Sequence, residues 1–154
     1  QWRGRWERIA CDGRTIILDA SHNPEGIREL ARNLEVLTAR DAPKPIIVAA
    51  ATSEARAEAL IQTVTQFAAE LHLVAPENER AVPTQQLRTL IADSFAGVVK
   101  ETELATLFPA KDRCAVGAPG STVVVTGSLY LIGEVLERIT QGKLSGQSSL
   151  QDRP

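Results

Sequence analysis

The chain has 154 residues, 44% of them hydrophobic and 23% charged, with a formal net charge of −2. That length is one domain's worth and buries a substantial core. The near-neutral charge, with no lysine or arginine run and no basic patch interleaved with aromatics, gives no reason to expect nucleic acid, and the apolar stretches are too short to span a bilayer.

In chain order, Trp6 to Ala10 predicts a first strand. Asp12-Gly13 is a hairpin signal, so this strand is expected to pair antiparallel with a second over Thr15–Ala20. Asn23-Pro24 supplies the cap and first position of a helix. That helix is expected to run to about Ala39, with Ile27, Leu30, Ala31, Leu34 and Leu37 on one face. Pro45–Ala51 is nearly all apolar and predicts a strand buried on both sides. A helix over Glu54–Ala69 turns Leu60, Val64, Phe67 and Ala68 inward.

Strand Leu71–Val74 follows, with His72 read as a partly buried strand residue. After the loop Ala75–Val82, Pro83 opens a helix bearing Leu87, Leu90 and Ile91. Val98–Glu101 predicts a short strand and Leu104–Phe108 a short helix. The last unit is strand Thr122–Thr126, a Gly127-Ser128 turn, and a helix with Leu129, Ile132, Val135, Leu136 and Ile139 inward. The sequence therefore predicts an α/β fold: a Rossmann-like three-layer domain over residues 1–140, whose six-stranded sheet is mostly parallel with the first strand antiparallel. Residues 141–154, with their Gly, Ser and Gln, are expected to form a disordered tail.

Cys11 and Cys114 lie far apart with no histidine partner close in sequence, which fits reduced thiols in a cytoplasmic protein better than a metal site. The chain lacks methionine and opens on Gln1-Trp2-Arg3-Gly4-Arg5, already dense in signal, so it is expected to be a carboxyl-terminal piece of a longer protein.

A doubly wound fold points to a nucleotide, yet the usual fingerprints are missing. No G-x-G-x-x-G follows an early strand, so a dinucleotide redox cofactor is not expected, and no G-x-x-x-x-G-K-[ST] cradles a triphosphate. Three polar sites at strand ends remain. Asp19 and His22 project from the loop after a strand's carboxyl end, where open α/β sheets bind ligands; they could meet ribose hydroxyls and a phosphoryl oxygen, or only serve helix entry. Arg5 offers the planar fork that suits phosphate, or is a solvated edge-strand arginine. Thr126-Gly127-Ser128 could turn backbone amides on an anion, or is a tight turn that needs glycine. No serine–histidine–acid or cysteine–histidine set can be assembled from the two histidines, His22 and His72.

Taken together, Gly4-Arg5, Asp19-x-x-His22-Asn23-Pro24, the Arg80-Ala81-Val82-Pro83 loop and Thr126-Gly127-Ser128-Leu129-Tyr130 resemble, in this order, the carboxyl-terminal domain of folylpolyglutamate synthase/dihydrofolate synthase, in the Mur ligase family. The resemblance extends to about Thr140. It implies an ATP-dependent amide ligase: a pteroate or folate carboxylate is phosphorylated by ATP, and the amine of glutamate attacks the acyl phosphate. It also implies a separate amino-terminal domain that carries the P-loop, Mg²⁺ and most of the folate site, over which this domain closes.

By the same resemblance Arg5 and Asp19 are expected to contact ATP, and His22 to act near the phosphates as a catalytic residue. Ser128 and Tyr130 are expected near the incoming glutamate or the folate tail. Two departures stand out. Ser21 replaces the usual alanine, and Thr52-Ser53-Glu54-Ala55-Arg56 stands where many relatives carry an Asp-Lys-Asp-like segment, which puts that lysine's role in doubt unless Arg56 replaces it. The alternatives are another Mur-type amino-acid ligase, acting on a cell-wall precursor, or a non-catalytic α/β interaction module.

Overall fold

The structure is a computed structural model and describes residues 4–142. Its strands are β1 (Arg5–Cys11), β2 (Arg14–Asp19), β3 (Ile46–Ala49), β4 (Glu70–Leu73), β5 (Val98–Glu101) and β6 (Thr122–Thr126). Its helices are α1 (Pro24–Leu37), α2 (Glu54–Val64), α3 (Thr84–Thr89), α4 (Leu104–Leu107) and α5 (Leu129–Gln141). The strands form one six-stranded sheet in the order β1-β2-β6-β3-β4-β5. Only β1 is antiparallel to its neighbour, joined to β2 through Asp12 and Gly13, both at positive φ as a tight hairpin requires. The expected α/β architecture is therefore the observed one.

Alternation along the strands divides the core in two. Ile16, Leu18, Val48, Val123 and Val125 pack against α4 and α5 through Leu104, Leu107, Leu131 and Val135. Ile17, Ile47, Leu71 and Val124 face the other way, against Leu30 and Leu34 of α1, Leu60 and Ile61 of α2 and Leu87 of α3. Many of these side chains are fully buried, and each such Leu or Ile stabilises the fold by about 1.5–3 kcal/mol. His72 is buried in β4, with Nδ1 2.9 Å from the Thr102 hydroxyl and Nε2 2.7 Å from a Glu70 carboxylate oxygen, so it is a satisfied structural residue. Cys11 and Cys114 are free and buried, and burial pushes both thiols above their ordinary pKa, away from reactivity.

Several boundaries differ from the sequence expectation for local reasons. Helix α1 stops at Leu37, not Ala39, because the Thr38 hydroxyl takes the Leu34 carbonyl and the chain turns away through Arg40 and Asp41 at positive φ. Helix α2 stops at Val64, not Ala69: the Thr65 hydroxyl bonds the Ile61 carbonyl, and Ala69 N–H is already committed to Pro45. Strand β3 is shorter than Pro45–Ala51, since Pro45 has no N–H to donate and the Ala51 carbonyl turns to Val82 N–H. Leu129, expected inward, is half exposed, because it is the first residue after the α5 cap and projects at the rim of the sheet. Gln141 closes α5 and Gly142 caps it at positive φ; the rest of the expected tail lies outside the described residues.

Parallel pairing sends the carboxyl ends of β2, β6 and β3 to one rim. Strand β6, last in the chain, lies between β2 and β3, so α1 must cross it on one face while α5 packs on the other. That reversal opens a crevice at the rim, the usual ligand position in such sheets.

Candidate functional site

Because β1 runs against β2, its first residue arrives at the rim where β2 ends, and Arg5 is the register partner of Asp19. A bulge at Trp6, held at φ 53°, interrupts the pairing between Arg5 and Glu7. A positive φ at a bulky residue is a strained conformation of the kind found at sites that re-aim a side chain. Asp19 is buried, and its carboxylate accepts from the Ser21 hydroxyl and from the backbone N–H groups of Trp6 and Ser21. Burial raises its pKa, and the nearby charge of Glu29 adds to this, while the hydrogen bonds oppose it. The Arg5 guanidinium is exposed, with one nitrogen 3.7 Å from Glu29. An exposed pair of that kind contributes about 0–1 kcal/mol, so it does little to fix the guanidinium.

Arg5, Trp6, Asp19, His22, Glu29 and Leu129 lie around one cleft of about 490 Å³. His22 is exposed, and its Nδ1 is 2.8 Å from the Ala20 carbonyl oxygen. A carbonyl only accepts, so Nδ1 carries the proton and neutral His22 has an acceptor at Nε2. Ser21 and His22 also border a second, smaller cleft of about 210 Å³ with Thr52, Arg56, Arg80 and Gly127. Arg56 donates to the His22 carbonyl at 3.3 Å. The loop carrying Arg80 is held from both sides: Glu77 N–H donates to the Glu134 carboxylate of α5, and Val82 N–H to the Ala51 carbonyl at 2.8 Å. Glu134 is itself buried, and that burial, with repulsion from Glu77, raises its pKa.

The β6–α5 turn is built differently from the other two strand ends. Gly127 sits at φ 107°, and a Cβ there would lie 2.0 Å from the Ala50 carbonyl oxygen, so only glycine fits. Ser128 is 1% exposed, and its hydroxyl caps α5 by accepting from Leu131 N–H at 3.3 Å. Tyr130 is half-buried on the first turn of α5. The structure thus brings Arg5, Asp19 and His22 to one cleft, while neither Ser128 nor Tyr130 lines either cleft. Sequence reasoning missed the Trp6 bulge and the meeting of Arg56 with Arg80. Each arginine was visible in its own segment, but their convergence depends on the strand order.

The sequence profile of the family described as Mur ligase, glutamate ligase domain, matches residues 4–129. The chain is similar to the folylpolyglutamate synthase of Lacticaseibacillus casei, at 28% identity over 144 residues that cover 92% of this chain and 31% of that protein. Its fold is similar to the crystal structure of folylpolyglutamate synthase from Thermotoga maritima, with a TM-score of 0.71 and 25% identity over 94% of this chain and 32% of the other. A fold likeness extends to the bifunctional folylpolyglutamate synthase/dihydrofolate synthase of Yersinia pestis complexed with AMPPNP and Mn, with a TM-score of 0.68 and 15% identity over 90% of this chain and 32% of that one. The chain therefore spans about a third of the length of these relatives.

Proposed function

Because this chain belongs to the family of the Mur ligase glutamate ligase domain, we propose that residues 1–140 are the nucleotide-closing domain of a cytoplasmic, ATP-dependent ligase that adds glutamate to dihydropteroate or folate. The observation that carries this reading is the common cleft of Arg5 and Asp19, an exposed guanidinium beside a buried, hydrogen-bonded carboxylate. The likeness to folylpolyglutamate synthases supports the substrate class.

In this reading Asp19 accepts the ribose hydroxyls of ATP and Arg5 meets its phosphates. The folate carboxylate attacks the terminal phosphoryl group, ADP leaves, and the glutamate amine then displaces phosphate from the acyl phosphate. The amine sheds a proton as the amide forms. Neutral His22, with Nδ1 tied to Ala20, can take that proton at Nε2; it can donate to a phosphoryl oxygen from Nε2 only as imidazolium. Closure of the rim over an amino-terminal P-loop domain excludes water that would hydrolyse the acyl phosphate. In this reading Mg²⁺ would be held mainly by that amino-terminal domain and would supply charge neutralisation at the phosphates. Ser128, buried as the α5 cap, would act in this scheme only by shaping the Gly127 turn, and Tyr130 from the first turn of α5, near the incoming glutamate or the folate tail.

The test is ATP-dependent glutamate incorporation by the full-length enzyme carrying Arg5→Ala or Asp19→Ala. Loss of one charge-assisted contact of about 1.5–3 kcal/mol predicts a roughly 10–100-fold fall in kcat/KM for ATP, with the circular dichroism spectrum unchanged. Full activity in both variants would leave a non-catalytic interaction module as the better reading.

A further inference from the structure

The loop from β4 to α3 leaves the sheet beside Val74, which packs on the α4–α5 side of the core, and returns at Val82, which packs on the side of α1, α2 and α3. It therefore crosses the rim from one face of the sheet to the other, and Arg80 stands in the crossing. Among the described residues, two hydrogen bonds tie residues 75–82 to other elements. Val82 N–H donates to the Ala51 carbonyl at 2.8 Å, and Glu77 N–H donates to the Glu134 carboxylate of α5. Between these anchors Asn78 closes a turn: its side chain accepts from Arg80 N–H at 2.9 Å, and its carbonyl accepts from Ala81 N–H at 3.0 Å. The turn fixes Arg80 relative to Glu77, and the anchors fix both ends of the crossing relative to the sheet.

The two anchors differ in kind. The Ala51 bond joins backbone to backbone, whereas the other depends on a single side chain. Glu134 lies on the second turn of α5 and is only 7% exposed. A carboxylate in such a place costs stability unless its partners compensate, and an apolar residue of the same size often packs there at less cost. Here Glu77 and Glu137 repel the charge, Arg138 one turn further on attracts it, and burial holds the carboxyl above its ordinary range. Stability does not account for a charge at this position. What the carboxylate gains is its grip on the loop.

We infer that Glu134 is a positioning residue: its carboxylate pins the β4–α3 loop to α5 and thereby sets where Arg80 stands at the rim. The same helix is capped by Ser128, next to Gly127, and Gly127 and Arg80 both border the smaller cleft. From Ser128 to Glu134 is about 9 Å of helix, a stiff spacer that keeps the β6–α5 turn and the Arg80 loop in register. The reaction served by this arrangement rests on the ligase reading; the anchor rests on the burial and the hydrogen bond of Glu134 alone. Misplacing a working group by roughly 1 Å can cost about 100-fold in rate, so loss of the anchor is felt without loss of the fold.

The anchor is tested first in the 154-residue chain, by amide hydrogen exchange followed by NMR. Glu134→Leu keeps the volume and removes the acceptor, and exchange at Glu77 should become faster by about tenfold or more. Val124 in the core strand β6 should stay as protected as in wild type, and Glu134→Ala gives the same comparison where leucine disturbs Val124. Glu134→Gln, whose carbonyl still accepts, should keep Glu77 close to wild type. Equal exchange at Glu77 with and without the acceptor would overturn the anchor.

The positioning role is tested in the full-length enzyme, where kcat/KM for ATP-dependent glutamate incorporation should fall by about tenfold or more in Glu134→Leu and in Arg80→Ala. Glu134→Gln should recover most of the loss. The double variant should be no slower than Arg80→Ala alone, because a residue that acts through Arg80 has nothing left to place once Arg80 is gone. Additive losses, or full activity in either single variant, would overturn the role. A full-length protein that incorporates no glutamate even as wild type would sink the ligase reading, while faster exchange at Glu77 in Glu134→Leu would leave the anchor standing.

Discussion

At Asp19 the fold keeps a carboxylate out of water and satisfies it with the Ser21 hydroxyl and two backbone N–H groups. Its pKa is nevertheless raised, with desolvation as the largest cause. The native state therefore holds its proton to higher pH than the unfolded chain does. Just above the ordinary carboxylate range, near pH 4, stability must fall as pH rises through the raised pKa, and at neutral pH this charge is a net liability. Asp19→Asn removes the charge and keeps the shape: its carbonyl still accepts the backbone donors, and the Ser21 hydroxyl can reverse to accept from the amide. Thermal unfolding of the 154-residue chain between pH 4 and pH 8 should give a Tm at pH 7 no lower than wild type and a flatter pH dependence. A Tm several degrees lower at pH 7 would mean that the hydrogen bonds outweigh desolvation. That Asp19 and His22 share one cleft was legible because both stand at one strand-to-helix junction. The bulge at Trp6 was not, since a positive φ at tryptophan leaves no mark in residue type.

Among the elements, the passage from β6 to α5 shows how packing decides what a glycine is for. Its sequence allowed either an anion-binding turn or a tight turn, and the Ala50 carbonyl oxygen, 2.0 Å from where a Cβ would stand, fixes the second need. The first is not removed, because Gly127 still borders the small cleft. Gly127→Ala has to displace the Ala50–Ala51 backbone and place alanine at φ 107°, a strain of about 1–3 kcal/mol or more. For a chain of this size that corresponds to a fall in Tm of roughly 3–12 °C. Differential scanning calorimetry measures it directly, and a Tm within a degree of wild type would show that the turn relaxes freely. Apolar periodicity and the Asn23-Pro24 cap made most elements legible, including the buried Ile27, Leu30 and Leu34 of α1 and Ile132, Val135 and Ile139 of α5. The ends of α1 and α2 were misplaced because apolar periodicity continues past Thr38 and Thr65, whose hydroxyls take the last carbonyls as the chain leaves the helix.

For the whole molecule, the decisive fact is a strand order that no local pattern encodes. Inserting β6 between β2 and β3 gathers residues 5, 19, 22, 56, 80 and 127 along one rim, although they span most of the chain. This rim is open, and the chain spans about a third of the length of its relatives, so its hold on a nucleotide can be bounded from its own residues. In the proposed site, two or three charge-assisted hydrogen bonds from Arg5, Asp19 and His22 would contribute roughly 1.5–3 kcal/mol each. Lost translational and rotational freedom costs about 4–15 kcal/mol. At the middle of these ranges the balance is unfavourable, which corresponds to a Kd weaker than about 1 mM. Isothermal titration of ATP into the 154-residue chain should therefore give no resolvable binding, and Arg5→Ala should change nothing there. In the proposed full-length ligase, where a second lobe would already immobilise the triphosphate, the same contacts would no longer bear the entropy of association, and Arg5→Ala should weaken ATP binding at least tenfold. Micromolar ATP affinity in the isolated chain would mean that this rim is a complete nucleotide site, and the division of labour between two lobes would have to be abandoned.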